Sequence, residues 1–98
     1  MYYKVHKSYR EVIAICDSEL LGKKFEEEDK LLEVRETFYN GEEVSEAKIH
    51  KIMEDFAKED ATFNIVGEKS VNIALKLGIV SKEGIKKVQG VPFALVLL

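Results

Sequence analysis

The 98-residue chain has one cysteine, one proline and no tryptophan, and each shortage excludes something. With Cys16 alone, no intrachain disulfide can form. A structural zinc site takes four Cys or His ligands in closely spaced pairs. Cys16, His6 and His50 are the only candidates, and no two lie within four residues of each other. The acidic run Glu26-Glu27-Glu28-Asp29 lacks the Asp/Asn/Gly spacing of a calcium loop. No metal and no cofactor is therefore expected. Long apolar runs are missing too: residues 91–98 form the longest, far short of the roughly 20 residues that cross a bilayer. The amino end, Met1 to Lys7, alternates and carries charge too early to hold an apolar targeting core. A cytoplasmic location without membrane contact is expected.

What the chain does contain is enough for one core. Apolar residues make up 46 %, with five Phe and four Tyr, and are spread along the whole length. That distribution argues against disorder and for a single domain over residues 1–98. Glu and Lys dominate the charged set, a balance associated with thermophile proteins. The net charge of −3 hides an asymmetry. Residues 26–60 carry thirteen acids against five bases; the remainder carries ten bases against five acids. The folded molecule is expected to present an acidic half, suited to a basic protein, and a mildly basic half.

Periodicity places the elements. Residues 2–7 alternate like a strand, with Tyr3 and Val5 on one side and Tyr2, Lys4 and His6 on the other. The β-branched run from Glu11 to Cys16 reads as a second strand, making a hairpin. Asp17 to Gly22 reads as one helical turn capped by Asp17. Lys24-Phe25 and Leu31 to Val34 read as short extended pieces around an acidic turn, and Asn40-Gly41 as a turn after Phe38-Tyr39. Ser45 is a good N-cap for a helix whose apolar residues Ile49, Ile52, Met53, Phe56 and Ala57 share one face. Residues 62–67 break that pattern. A second helix follows from Glu68 to Leu77, closed by Gly78. Residues 85–88 and 91–98 are β-rich on either side of Gln89-Gly90, with Pro92 suited to an edge or a strand opening. The class is α+β: a mostly antiparallel sheet packed with two main helices.

Three places merit a chemical reading. Cys16 ends an apolar strand, where an inert buried thiol is the usual role, and Asp17 beside it opposes a thiolate. No catalytic residue is assigned, and the balance leans away from an enzyme. Asn64, Gly67 and Lys69 form the second place. A glycine at a strand-to-helix junction lets backbone N–H groups approach an anion, and Lys69 adds a cation. One glycine is not a dinucleotide fingerprint, though, and Glu68 in the first turn repels phosphate. The third place is the strand face of Tyr2, Lys4 and His6 with Lys7 and Arg10 beside it. Aromatic and basic side chains on one sheet face are what single-stranded RNA readers use. Lys86 and Lys87 extend that patch if the terminal strands are neighbours. Against this stand the acidic balance and the lack of any known RNA-binding signature.

Asp17-x-Glu19-Leu20-Leu21-Gly22-Lys23, Phe38-Tyr39-x-Gly41, Asn64-Ile65-Val66-Gly67-Glu68 and Gly90-Val91-Pro92 occur in that order. With them the chain resembles the archaeal domain-of-unknown-function 424 family over essentially its whole length. The resemblance implies a small archaeal cytosolic protein and a housekeeping role near translation. It supplies no catalytic residues. The leading expectation is a non-catalytic binding module contacting RNA or a translation-associated protein. The alternative is a protein-interaction or homo-oligomeric subunit that pairs through the apolar C-terminal strand. An enzyme holding a phosphorylated ligand at the Asn64–Lys69 junction comes third.

Overall fold

In a computed structural model, which describes residues 1–97, the alternating runs become strands of one central sheet. Leu98, at the end of the expected last strand, lies outside the described residues. The strands are β1 (Tyr2–His6), β2 (Val12–Cys16), β3 (Lys24–Glu27), β4 (Lys30–Glu33), β5 (Glu42–Glu43), β6 (Thr62–Val66), β7 (Lys86–Val88) and β8 (Val91–Val96). The helices are α1 (Glu36–Tyr39), α2 (Glu46–Ala57) and α3 (Glu68–Lys76). Single 3-10 turns occupy Ser18–Leu20 and Lys82–Gly84. Six strands make the main sheet in the order β5-β1-β2-β6-β8-β7, while β3 and β4 form a separate hairpin. Every pair in the main sheet is antiparallel except β2 with β6.

Thr62–Val66, in the stretch that breaks the α2 pattern in the sequence, is a central strand. β6 is paired on both sides, and Phe63, Ile65 and Val66 are buried. Its five residues are too short a window to separate strand from helix by period, so its place is set by the partners it finds. The two terminal hairpins, β1–β2 and β7–β8, sit on either side of it.

Both faces of the sheet are covered, and alternate residues of one strand serve different cores. Ile13, Ile15, Phe63, Ile65, Ala94 and Val96 pack with Ile49, Ile52 and Met53 of α2 and Val71, Ile73 and Ala74 of α3. On the other face Ala14, Cys16, Val66 and Val88 pack with Leu32, Val34 and Tyr39. This double coverage explains why Val12–Cys16 reads as continuously apolar rather than alternating. Phe63, Ile13 and Ile15 are fully buried, each contributing roughly 2–3 kcal/mol of transfer free energy. α2 begins as its sequence implies, with the Ser45 hydroxyl accepting the Lys48 N–H at 3.2 Å.

Asp17 does not cap the turn it precedes. The Ser18–Leu20 turn receives no side-chain hydrogen bond from it. Instead its buried carboxylate reaches the start of α3: Oδ2 accepts the Lys69 N–H at 3.1 Å, and Oδ1 accepts the Ser70 N–H at 2.9 Å. The Ser70 hydroxyl donates to Oδ1 at 2.7 Å. The Asp17 N–H also donates to the Val66 carbonyl at 3.1 Å, extending the β2–β6 ladder by one rung. Gly67 sits between these groups with φ +110°, and a Cβ there would collide with the Asp17 carboxylate. Hydrogen bonds to a charged group contribute about 1.5–3 kcal/mol each, and they are not additive here. We expect Asp17→Ala to lower unfolding free energy by about 3 kcal/mol in urea titrations, and Gly67→Ala to cost a similar amount. Equal stability of wild type and Asp17→Ala would contradict this account of the junction.

Burial sets the alkaline limit of the fold. The Cys16 thiol is pushed up from 9.0 to about 12, chiefly by burial, with the Asp17 charge adding to it. Burial likewise raises the Tyr39 phenol from 10.0 to about 12, with Cys16 contributing further. Between about pH 9 and 12 the folded chain keeps these protons while the unfolded chain loses them. The unfolded state therefore binds fewer protons, and stability falls as pH rises through that window. Thermal melting from pH 8 to 11 should show a falling midpoint, with a shallower slope in Tyr39→Phe.

Candidate functional site

The β1 face read as a nucleic-acid platform is the floor beneath α1. A one-turn helix leaves its last carbonyls without intrahelical partners. Lys4 Nζ donates to the Thr37 carbonyl at 2.9 Å. His6 Nε2 lies 2.8 Å from the Phe38 carbonyl, so that nitrogen carries the proton and donates. The His6 ring also stacks on Phe38, with centroids 4.4 Å apart and planes 16° from parallel. These polar residues face the sheet's second core because α1 needs them there. Lys7 and Arg10 lie in the exposed turn between β1 and β2, beside a fully exposed Tyr9. Lys86 and Lys87 are on β7, at the far edge of the sheet from β1. The terminal strands are not neighbours, so the five residues around β1 and the two on β7 do not form one patch.

The Asn64, Gly67 and Lys69 group also separates. Asn64 lines a cleft of about 340 Å³ with Glu33, Arg35, Thr37, Phe38 and Tyr39, on the α1 side of the sheet. Arg35 in that cleft bonds Glu33 at 3.3–3.4 Å, and this holds the exposed Glu33 carboxyl below its ordinary range. The α3 amino terminus is occupied by the chain's own Asp17 carboxylate, which takes the Lys69 and Ser70 N–H groups. The site read as able to hold an external anion already holds an internal one. A phosphorylated ligand at that junction would have to displace three hydrogen bonds.

Cys16 meets neither imidazole. It pairs with Tyr2 at one end of the first hairpin while His6 pairs with Val12 at the other, and His50 sits on α2 with Nδ1 3.5 Å from Glu54. Among the described residues, no three His, Cys, Asp or Glu side chains converge as a metal site would require. No helix among them is long and apolar enough to cross a membrane.

The most unusual surface is at the C-terminal margin. β7 pairs only with Val91, Pro92 and Phe93 of β8, because the chain before Lys86 is a 3-10 turn rather than strand. Backbone groups alternate sides along β8. The Pro92 carbonyl accepts the Gly67 N–H, so within β8 Val91, Phe93 and Leu95 turn theirs the other way, away from β6. At Val91 and Phe93 those groups meet β7; past Phe93 the Lys82–Gly84 turn, not a strand, packs against β8, and Leu97 lies beyond the end of β8. The Leu95 and Leu97 side chains are exposed, at 60 % and 71 %. Next to them is a groove of about 280 Å³ lined by Lys30, Leu31, Lys86, Lys87, Val88 and Phe93, with Leu31 53 % exposed. The charge-free run after Lys87 signals the strand in the sequence. Lys30 and Leu31, from a hairpin more than fifty residues earlier, carry no such signal.

No curated protein matches the chain. A solved structure does: the crystal structure of an uncharacterized conserved protein from Methanopyrus kandleri is 24 % identical, with a TM-score of 0.80. The match covers 98 % of this chain and 90 % of that one, and it shows a shared fold. The model of a family described as "Protein of unknown function (DUF424)" matches residues 5–98. From the first strand to the open end of β8, this chain belongs to that family.

Proposed function

We propose that the protein is a non-catalytic interaction module that accepts an extended segment of a partner protein along the outer edge of β8. One contrast carries this reading. Unpaired strand edges invite pairing with other chains, and folded proteins ordinarily blunt them with charge. Here β5 exposes Glu42 and Glu43 and β7 exposes Lys86 and Lys87, whereas the part of β8 past β7 presents Leu95, with exposed Leu97 just beyond the strand. Strand addition draws affinity from main-chain hydrogen bonds and specificity from alternate side chains, and the end of β8 around Leu95 is where a segment could find both. A second copy of the chain is one partner this edge can take.

RNA contact, in the translation setting suggested by the family resemblance, is the second reading. It rests on Tyr9, fully exposed between Lys7 and Arg10 at the tip of the first hairpin. An exposed aromatic flanked by cations is a stacking site for an unpaired base. An archaeal, cytoplasmic setting belongs to both readings and is supported by the Glu- and Lys-rich composition and the likeness to the Methanopyrus kandleri protein.

Affinity capture from native extract, together with light scattering of the purified chain, should separate wild type from Leu95→Lys/Leu97→Lys. We expect the double variant to stay folded by circular dichroism and to lose its stoichiometric protein partner or its self-association. Unchanged partners and oligomeric state would rule out the β8 edge. RNA retention at low salt that is lost in Tyr9→Ala would favour the second reading instead.

A further inference from the structure

Asn64 occupies a position for which the fold itself gives no reason. It lies in the middle of β6, a strand paired on both sides, and asparagine is disfavoured in strands. Phe63 and Ile65 enter the core on the helix side of the sheet, so the Asn64 side chain points to the other face. Its neighbours across the ladders there are Ala14 and Leu95. Among the described residues its amide makes no hydrogen bond.

A second polar group in the same place is also unpartnered. Tyr39 is 6 % exposed, and its hydroxyl has no hydrogen-bond partner among the described residues. Buried hydroxyls ordinarily have one. Of the described side chains, only Ser18 has a polar atom both sealed from solvent and unbonded, so the Tyr39 hydroxyl must reach open space. The cavity that Tyr39 lines is the cleft of about 340 Å³ that it shares with Asn64.

The rest of the lining defines what fits. Arg35 and Glu33 bring one cation and one carboxylate, already bonded to each other, so the cleft has no net charge with which to recruit an ion. Phe38 is an aromatic wall, its ring held by the His6 stack. The unbonded groups are neutral: an amide with donor and acceptor side by side, and a hydroxyl that can act as either. Their complement is a planar, uncharged ring with a donor and an acceptor adjacent on its edge. Nucleobases have such edges, and asparagine pairs with one through two hydrogen bonds. The cleft falls in the range of small-molecule sites, roughly 300–1,000 Å³. It shares Glu33, Arg35 and Thr37 with a second depression of about 410 Å³, which leaves polar room for an attached ribose.

Independently of the β8 edge, we propose that this cleft is a nucleobase site. Asn64 reads the edge of the base, Tyr39 supplies a further hydrogen bond, and Phe38 contacts the face of the ring. A free nucleoside and an unpaired base of RNA present the same chemistry.

The test uses the full-length, isotope-labelled chain. Its probes are the four ribonucleosides, mixed tetraribonucleotides, ribose, and indole, which is planar but has no acceptor beside its N–H. We expect a nucleoside or the tetranucleotides to shift the Asn64 side-chain amide signals together with those of Phe38 and Tyr39, and ribose to shift none of them. Asn64→Leu should weaken that binding about tenfold or more, as loss of a paired edge does. The same variant should melt no lower than wild type, because it removes an amide that bonds nothing. Tyr39→Phe should weaken binding by a smaller factor. Asn64-dependent binding of nucleosides assigns a free ligand, and of tetranucleotides alone an RNA base; each upholds the site. The proposal fails if no probe moves the Asn64 amide, if indole binds as tightly as the best nucleobase probe, or if Asn64→Leu binds like wild type.

Discussion

One buried carboxylate ties together one end of this fold. Helix α3 starts beside buried Gly67, and the N–H groups of its first turn, including that of buried Ser70, need acceptors. Asp17, at the end of β2, supplies them to Lys69 and Ser70. The same residue continues the β2–β6 ladder, and the Gly67 N–H next to it reaches across to the Pro92 carbonyl at 2.8 Å. Three strands and a helix are thereby joined at one end of the sheet. The carboxyl ends of parallel strands, facing a helix amino terminus, are where many α/β proteins bind anionic ligands. In this chain that place is closed from within by the protein's own carboxylate.

The opposite face shows how polar residues on a strand can mislead. Tyr2, Lys4 and His6 alternate with apolar residues as a solvent-facing row would. They instead lie beneath α1, where Lys4 and His6 bond carbonyls that a single helical turn cannot satisfy itself. A strand pattern shows which side chains share a face; it does not show whether water or another element lies against that face. The second, smaller core under the β3–β4 hairpin is built on this arrangement, with Phe38 stacked on His6 and Tyr39 buried beside it.

At the margins, charge and pairing separate the edges from one another. Glu42–Glu43 and Lys86–Lys87 guard the two outer strands against like partners. Where β7 stops, β8 continues beside the Lys82–Gly84 turn with Leu95 exposed, Leu97 exposed just beyond it, and a groove lined by Lys30, Leu31 and Phe93 at one end. These features come from two hairpins more than fifty residues apart in sequence, β3–β4 and β7–β8, the second joining a strand of three residues to one of six.

Local chemistry was sufficient for much of the fold. The period of Ile49, Ile52, Met53 and Phe56 and the Ser45 cap define α2; alternation defines β1; Gln89-Gly90 defines the last hairpin. These depend on neighbours within a few residues, and so the amino-acid order alone decides them. The order of strands, the destination of the Asp17 carboxylate, the covering of β1 by α1 and the open edge of β8 were decided only by tertiary structure. Each depends on which distant segment wins a given surface. That outcome is set by the total burial and hydrogen bonding of the assembled sheet, which no short window of sequence contains.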